Sequence, residues 1–248
     1  MGAPGLTSAS RPAFYALSPG SWRDYVTLLH PPYTLWHLSY VGLGAGLAPH
    51  FHTARFGAGL AAFFLGMGVG AHALDELKGR PLQTRIPEPV LLVLAAVALA
   101  GGVAIGIAAA LAWEPWLLVF VAFGAAIAIA YNLELFGGVF HSDAFFALSW
   151  GALPVLSAYL VNAGTIRLVA VLAAAFAAFL SLAQRWLSTP VRTVRRRVVS
   201  VSGTIRYTDG RTEQVSPESL MGAPERALRV LVLATSALGA ALVVLRLA

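Results

Sequence analysis

His72, Asp75 and Glu76 close a stretch that has been apolar since Phe56, and Lys78, Arg80 and Arg85 follow directly. A helix brings residues three and four apart onto one face, so these three ionisable side chains share a side. Ionisable groups this close to hydrocarbon are costly unless they face an internal polar cavity, which makes them functional candidates. A carboxylate pair beside cations suits a site that holds Mg2+ and a phosphate group together. The structural alternative is that Asp75 and Glu76 pair with Lys78 or Arg80 where the helix meets the headgroups.

Other polar residues carry less. His141-Ser142-Asp143 opens a later apolar stretch and can join the same cavity or cap a helix. His30 and His37 flank or enter the first apolar stretch, where a single histidine is usually a hydrogen-bonded structural residue. His50 and His52 fall in a short loop, and Trp22, Trp36, Trp113, Trp116 and Trp186 fall near stretch ends, as interfacial aromatics do. There is no cysteine, which excludes disulfides, thiolate catalysis and Cys-based metal sites.

The elements that must position these residues are membrane spans. Of 248 residues 58% are hydrophobic and 11% charged, too few charges to clothe a soluble globule and too apolar for a disordered chain. A spanning helix needs roughly 20 apolar residues. Stretches at 33–49, 55–74, 89–112, 116–133, 144–162, 166–183 and 228–247 meet or approach that. The expected fold is an all-α polytopic transmembrane bundle of about seven spans, several joined by links as short as Trp113-Glu114-Pro115. Gly42 with Gly46, and Gly66 with Gly70, are spaced for close helix packing in lipid.

Lysine and arginine set the orientation. With the N-terminus inside, Arg11, Arg23, Lys78, Arg80, Arg85 and nine arginines from Arg185 to Arg229 are internal, whereas Arg55, Arg167 and Arg246 are external. The positive-inside rule then places the N-terminus in the cytoplasm of a cell-membrane protein. Residues 1–24 read as a flexible arm, without the apolar run of a signal peptide. Residues 186–226 read as a cytoplasmic Arg-rich segment with a β-hairpin turning at Asp209-Gly210 and a helix start at Ser216-Pro217, and 227–248 as a last spanning helix. The run Arg192-Thr193-Val194-Arg195-Arg196-Arg197 suits anionic lipid headgroups of the bilayer rather than nucleic acid.

The segment Ala71-His72-Ala73-Leu74-Asp75-Glu76-Leu77-Lys78-Gly79-Arg80-Pro81-Leu82 resembles the first aspartate-rich motif, N-D-x-x-D-x-x-x-D followed by R-P-L, of the UbiA superfamily of intramembrane prenyltransferases. Asp75 keeps the middle aspartate and Arg80-Pro81-Leu82 keeps the R-P-L run, while Ala71, His72 and Gly79 stand at the other motif positions. His30-Pro31-Pro32-Tyr33, Tyr131-Asn132 and Trp150-Gly151-Ala152-Leu153-Pro154 also resemble family features, so the resemblance covers roughly 22–185, with the UbiA-like transmembrane bundle at 25–185. The second aspartate motif has no counterpart, its place being taken by Ser181-Leu182-Ala183-Gln184-Arg185-Trp186-Leu187-Ser188-Thr189-Pro190.

The resemblance implies transfer of an isoprenoid group from a polyprenyl diphosphate to a small or lipidic acceptor. Asp75 and Glu76 would hold Mg2+, His72 would assist, and Lys78, Arg80, Arg85 and Arg185 would hold the diphosphate. The missing second motif leaves an alternative, a catalytically degenerate relative that binds an isoprenoid lipid or a protein partner. In either case Arg185 and Arg192 are placed to contact phosphate directly.

Overall fold

The structure, a computed structural model, describes residues 11–248; the part of the expected arm before Arg11 lies outside the described residues. The chain forms α1 (Trp22–Leu28), α2 (Pro31–Leu47), α3 (Thr53–Leu77), α4 (Glu88–Ala112), α5 (Leu117–Asn132), α6 (Asp143–Ala163) and α7 (Leu168–Arg197). A hairpin of β1 (Thr204–Arg206) and β2 (Thr212–Gln214) follows, and then α8 (Pro217–Leu247). All seven apolar stretches are therefore helical. Among the described residues five helices, α3, α4, α6, α7 and α8, are long and apolar enough to cross a membrane, and α5 is a shorter apolar helix.

The helices divide into core and lipid-facing members as their sequences dictate. α2 carries Thr34, His37 and Ser39 among its apolar residues and runs through the middle, with Trp36, Tyr40, Val41 and Ala45 all fully buried. Its hydroxyls bond inside the helix or just before it, Ser39 Oγ donating to the Leu35 carbonyl and Thr34 Oγ1 to that of Leu29. α6 packs beside it and is the most enclosed of the long helices, with 72% of its apolar window buried against 22% for α4 and α8. Leu92, Val97 and Leu111 of α4, Leu172 and Phe179 of α7, and Leu233 and Val244 of α8 face outward, an arrangement that suits hydrocarbon rather than water.

Close crossings need missing side chains. A Cβ on Gly44 would collide with the Val155 carbonyl oxygen, so the glycine lets α2 lie directly against α6. Gly46 and Gly239 play the same part between α2 and α8, where added Cβ atoms would meet Leu242 Cβ at 2.7 Å and the Ser39 carbonyl oxygen at 2.7 Å. Gly66, by contrast, has open space at its Cβ and is itself the backbone that Gly102 approaches.

Two helices widen locally into π-helical turns, at Phe64–Ala71 in α3 and Ala147–Ala152 in α6. Such turns displace the downstream helix face and recur at functional sites. Met67 and Ala71 from one meet Trp150 from the other in a buried cluster with Ile127, Tyr131 and Phe146.

One end of the bundle gathers the termini that carry charge. Lys78 after α3 pairs with Glu134 after α5 at 3.5 Å, Arg185 on α7 with Asp143 at the start of α6 at 2.5 Å, and Arg195 with Glu225 on α8 at 2.6 Å. The hairpin has the expected turn, with Gly210 at φ 86° and Asp209 Oδ1 accepting the Arg211 amide. Ser216 and Ser219 cap α8 reciprocally, with Pro217 in its first turn.

Candidate functional site

A polar cavity with about 850 Å³ of empty space opens at this charged end, between α2, α3, α5, α6 and α7. His72 and Asp75 enter from α3, just beyond the π turn, and Arg185 enters from α7. The same stripe of α7 adds Gln184, Ser188, Arg192 and Arg196, residues that recur every three to four positions and so face one way. Aromatic side chains of Tyr33, Tyr131, Phe146 and Trp150 form the remaining wall, and Pro12 to Tyr15 form the roof.

The histidines are ordered by the backbone. Nδ1 of His37 donates to the Trp150 carbonyl at 2.8 Å, that of His72 to Gly68 at 3.1 Å, and that of His141 to Tyr131 at 3.1 Å. A carbonyl only accepts, so each of these rings carries a proton on Nδ1. His30 stacks on His72 with ring centroids 4.1 Å apart, and its Nδ1 lies 2.7 Å from the Tyr15 hydroxyl. Burial, then His72, Arg196 and Arg192, hold the His30 pKa well below the ordinary histidine range. Burial raises the Tyr15 pKa well above its usual value. His30 Nε2 and Gln184 Oε1 are buried and have no hydrogen-bond partner among the described residues.

Arg185 is fixed in place. It donates to Asp143 and to the Tyr131 hydroxyl, and its guanidinium carbon lies 5.3 Å from the Phe146 ring centre. Trp186 Nε1 holds the second oxygen of Asp143 at 2.7 Å. Asp75 has no hydrogen bond or ion pair among the described residues, so its carboxylate faces the cavity alone.

The cavity thus brings together His72, Asp75 and Arg185, whereas Glu76, Lys78, Arg80 and Arg85 lie outside its lining. Glu76 is fully buried on the other side of α3. Its carboxylate accepts the amides of Leu82 and Thr84 at 2.9 and 2.8 Å and the Thr84 hydroxyl at 2.8 Å. Arg80 donates to the carbonyls of Thr84 and Ile86, and Asp24 accepts the Arg85 amide. These residues build the loop after α3, which needs help because Gly79, Arg80 and Gln83 all have positive φ. Lys78 sits on the surface with Glu134. Consecutive residues point about 100° apart on a helix, and here that angle sends Asp75 into the cavity and Glu76 into the loop.

A metal site needs several convergent donors. Among the described residues no group of three His, Cys, Asp or Glu side chains could hold a metal ion, and Asp75 is the one carboxylate in the cavity lining. The expected Asp75–Glu76 pair is not formed, and the residues present do not fit a Mg2+ cluster.

Sequence reasoning missed Tyr15, His30, Tyr33 and Arg196 as cavity residues. Arg11 to Leu17, expected within a loose arm, instead packs across the cavity: Arg196 Nε donates to the Pro12 carbonyl at 3.1 Å, the Leu17 amide to Thr27 Oγ1 at 3.0 Å, and Phe14 lies beneath Arg229. The recurrence of arginine at 185, 192 and 196 was the signal available for Arg196.

Below the polar cavity, and sharing Trp150 with it, lies an apolar chamber with about 980 Å³ of empty space. Its walls are small and apolar residues of α3 to α6, such as Gly59, Gly66, Gly102, Phe120 and Leu153.

No family model matches the sequence, and no curated protein matches it. Solved structures do. A UbiA homologue from Archaeoglobus fulgidus bound to GPP and Mg2+ aligns over 88% of this chain and 76% of its own, with TM-score 0.53 and 18% identity. The structure of a UbiA homologue from the same organism bound to Cd2+ aligns over 90% of this chain and 85% of its own, with TM-score 0.51 and 17% identity. The chain is a mostly helical, apolar bundle with a small two-stranded hairpin, and has the fold of these UbiA homologues.

Proposed function

We propose that this protein takes an isoprenoid diphosphate into its two-part cavity and transfers the isoprenoid group to a small or lipidic acceptor. The observation that carries the reading is the meeting of a polar cavity holding Asp75, His72 and the α7 arginines with an apolar chamber at Trp150. That pair of environments matches a ligand with an anionic head and a long apolar tail. The fold shared with a protein bound to GPP and Mg2+ supports it.

In this reading the bond between the allylic carbon and the diphosphate oxygen breaks, and its electron pair leaves with the diphosphate. Arg185 and Arg192 stabilise the charge that develops on the leaving oxygens. The allylic cation lies against the faces of Tyr131, Phe146 and Trp150, which line the adjoining wall. An acceptor atom donates its lone pair to that cation and loses a proton to the Asp75 carboxylate, with His72 as its neighbour. The products are the prenylated acceptor and diphosphate. The charged end of the bundle faces the cytoplasm, as the distribution of lysine and arginine favours. The exposed arginines of the α7 end lie against anionic headgroups.

A second reading, binding of the same lipid without transfer, is favoured by the lack of a metal-holding cluster among the described residues. Incubation of the purified protein in nanodiscs with labelled prenyl diphosphates and a panel of aromatic and lipidic acceptors separates the two. Release of diphosphate that vanishes in Asp75→Asn supports transfer. Saturable binding with no release in any mixture leaves the binder.

A further inference from the structure

The carboxylates at the charged end are almost all spent. Asp143 is held by Arg185 and Trp186, Glu225 by Arg195, Glu76 by three donors of the loop after α3, and Asp24 by the amides of Gly20 and Arg85. Asp75 is left facing the cavity. Against it stand Arg185, Arg192 and Arg196, of which Arg192 and Arg196 have no ion pair among the described residues. Counting Asp143 with its partner, three guanidinium groups oppose two carboxylates, and the balance is cationic. Such a balance repels a divalent cation and attracts a polyanion.

The geometry of α7 gives the cations a spacing. Arg185 and Arg192 are seven residues apart and Arg192 and Arg196 four, so they descend one helix face over roughly 16 Å at about 1.5 Å per residue. Arg185 is braced by Asp143 and Tyr131, and Arg196 is braced through Nε by the Pro12 carbonyl. Bracing of this kind leaves the terminal guanidinium nitrogens pre-aimed, which favours phosphate over a mobile lysine pair. His30 Nε2, buried in the same wall and without a partner among the described residues, donates to a phosphate oxygen when the Tyr15 hydroxyl donates to its Nδ1.

Resting on the isoprenoid diphosphate reading, we infer that the head group is bound without a divalent cation, by Arg185, Arg192 and Arg196 in the place where metals would otherwise bridge carboxylates and phosphate. The ligand class is a phosphorylated isoprenoid, diphosphate or monophosphate, and specificity for it over free phosphate comes from the tail in the apolar chamber.

The test is equilibrium binding of geranylgeranyl diphosphate to the full chain in phosphatidylcholine nanodiscs, in EDTA and in Mg2+. Affinities within about twofold of each other are expected, falling as salt rises. The double variant Arg192→Gln/Arg196→Gln should bind at least ~10-fold more weakly, with Arg192→Lys intermediate. Arg192 is exposed, so Arg192→Gln alone, checked by gel filtration, covers the case in which the double variant fails to fold. Inorganic diphosphate should compete more than ~10-fold less well than the lipid; equal competition would identify a free-phosphate site and overturn the inference. Displacement by phosphatidylglycerol in the nanodisc would identify a membrane headgroup site and overturn it too. Binding in Mg2+ that is lost in EDTA overturns the inference while sustaining the isoprenoid diphosphate reading. Absence of binding in both buffers overturns both.

Discussion

Asp75 and Glu76 are adjacent in sequence and opposite in role. Asp75 faces the cavity without a partner, so Asp75→Asn removes the proton acceptor while leaving the arginines in place. Labelled-product assays should show transfer down about 100-fold or more, with head-group affinity unchanged or improved. Glu76→Gln should act on stability instead, because the buried carboxylate serves three donors at once. A loss of about 1–3 kcal/mol is expected, read as a lower melting temperature in detergent. A Glu76→Gln variant with unchanged stability but altered Mg2+ dependence would contradict this division. His30 supplies a pH signature. Burial, His72, Arg196 and Arg192 hold its pKa well below the usual value, so the native protein leaves it neutral while the unfolded chain protonates it below about pH 6.5. Stability from this group is therefore complete above that pH and is lost as pH falls, by up to about 1.4 kcal/mol per unit. His30→Asn keeps a residue tolerant of the positive φ at this position and should flatten the decline in melting temperature between about pH 7.5 and 5. Equal slopes in the two proteins would argue against a neutral His30.

At the scale of elements, helix contacts rather than helix propensities set the geometry of the site. Gly151 belongs to the π turn of α6, and a Cβ there would lie 2.6 Å from the Ala177 carbonyl oxygen of α7. Gly151→Ala therefore pushes α6 from α7, the two helices whose tie is Arg185 to Asp143. A destabilisation of about 1–3 kcal/mol and weaker ligand binding are expected, measured by thermal unfolding and binding on the same sample. Much of this level was legible in the sequence. Apolar length located the seven helices, Asp209-Gly210 the hairpin, and Ser216-Pro217 the start of α8. The facing of individual residues was not. The π turn ahead of His72 has no distinctive composition, and the loop that captures Glu76 depends on amides six and eight residues away. Nor does apolar length reveal that α2 is the central helix, because its burial is set by neighbours from the far end of the chain such as Gly239.

For the whole molecule, topology is the open variable with the simplest experiment. The chain has no cysteine, so a single Ser202→Cys beside the hairpin gives an unambiguous label site. A membrane-impermeant thiol reagent should modify it only after permeabilisation if the charged end faces the cytoplasm. The roof over that end has a wider consequence. Arg195 and Arg196 hold the carbonyls of Arg11 and Pro12, so the first described residues of the chain are tied to the helix that carries the arginine stripe. Arg196 spends only its Nε on the Pro12 carbonyl, so an anion entering beneath takes the terminal nitrogens of the same guanidinium. Roof and ligand then share one cation, and each holds it in place for the other.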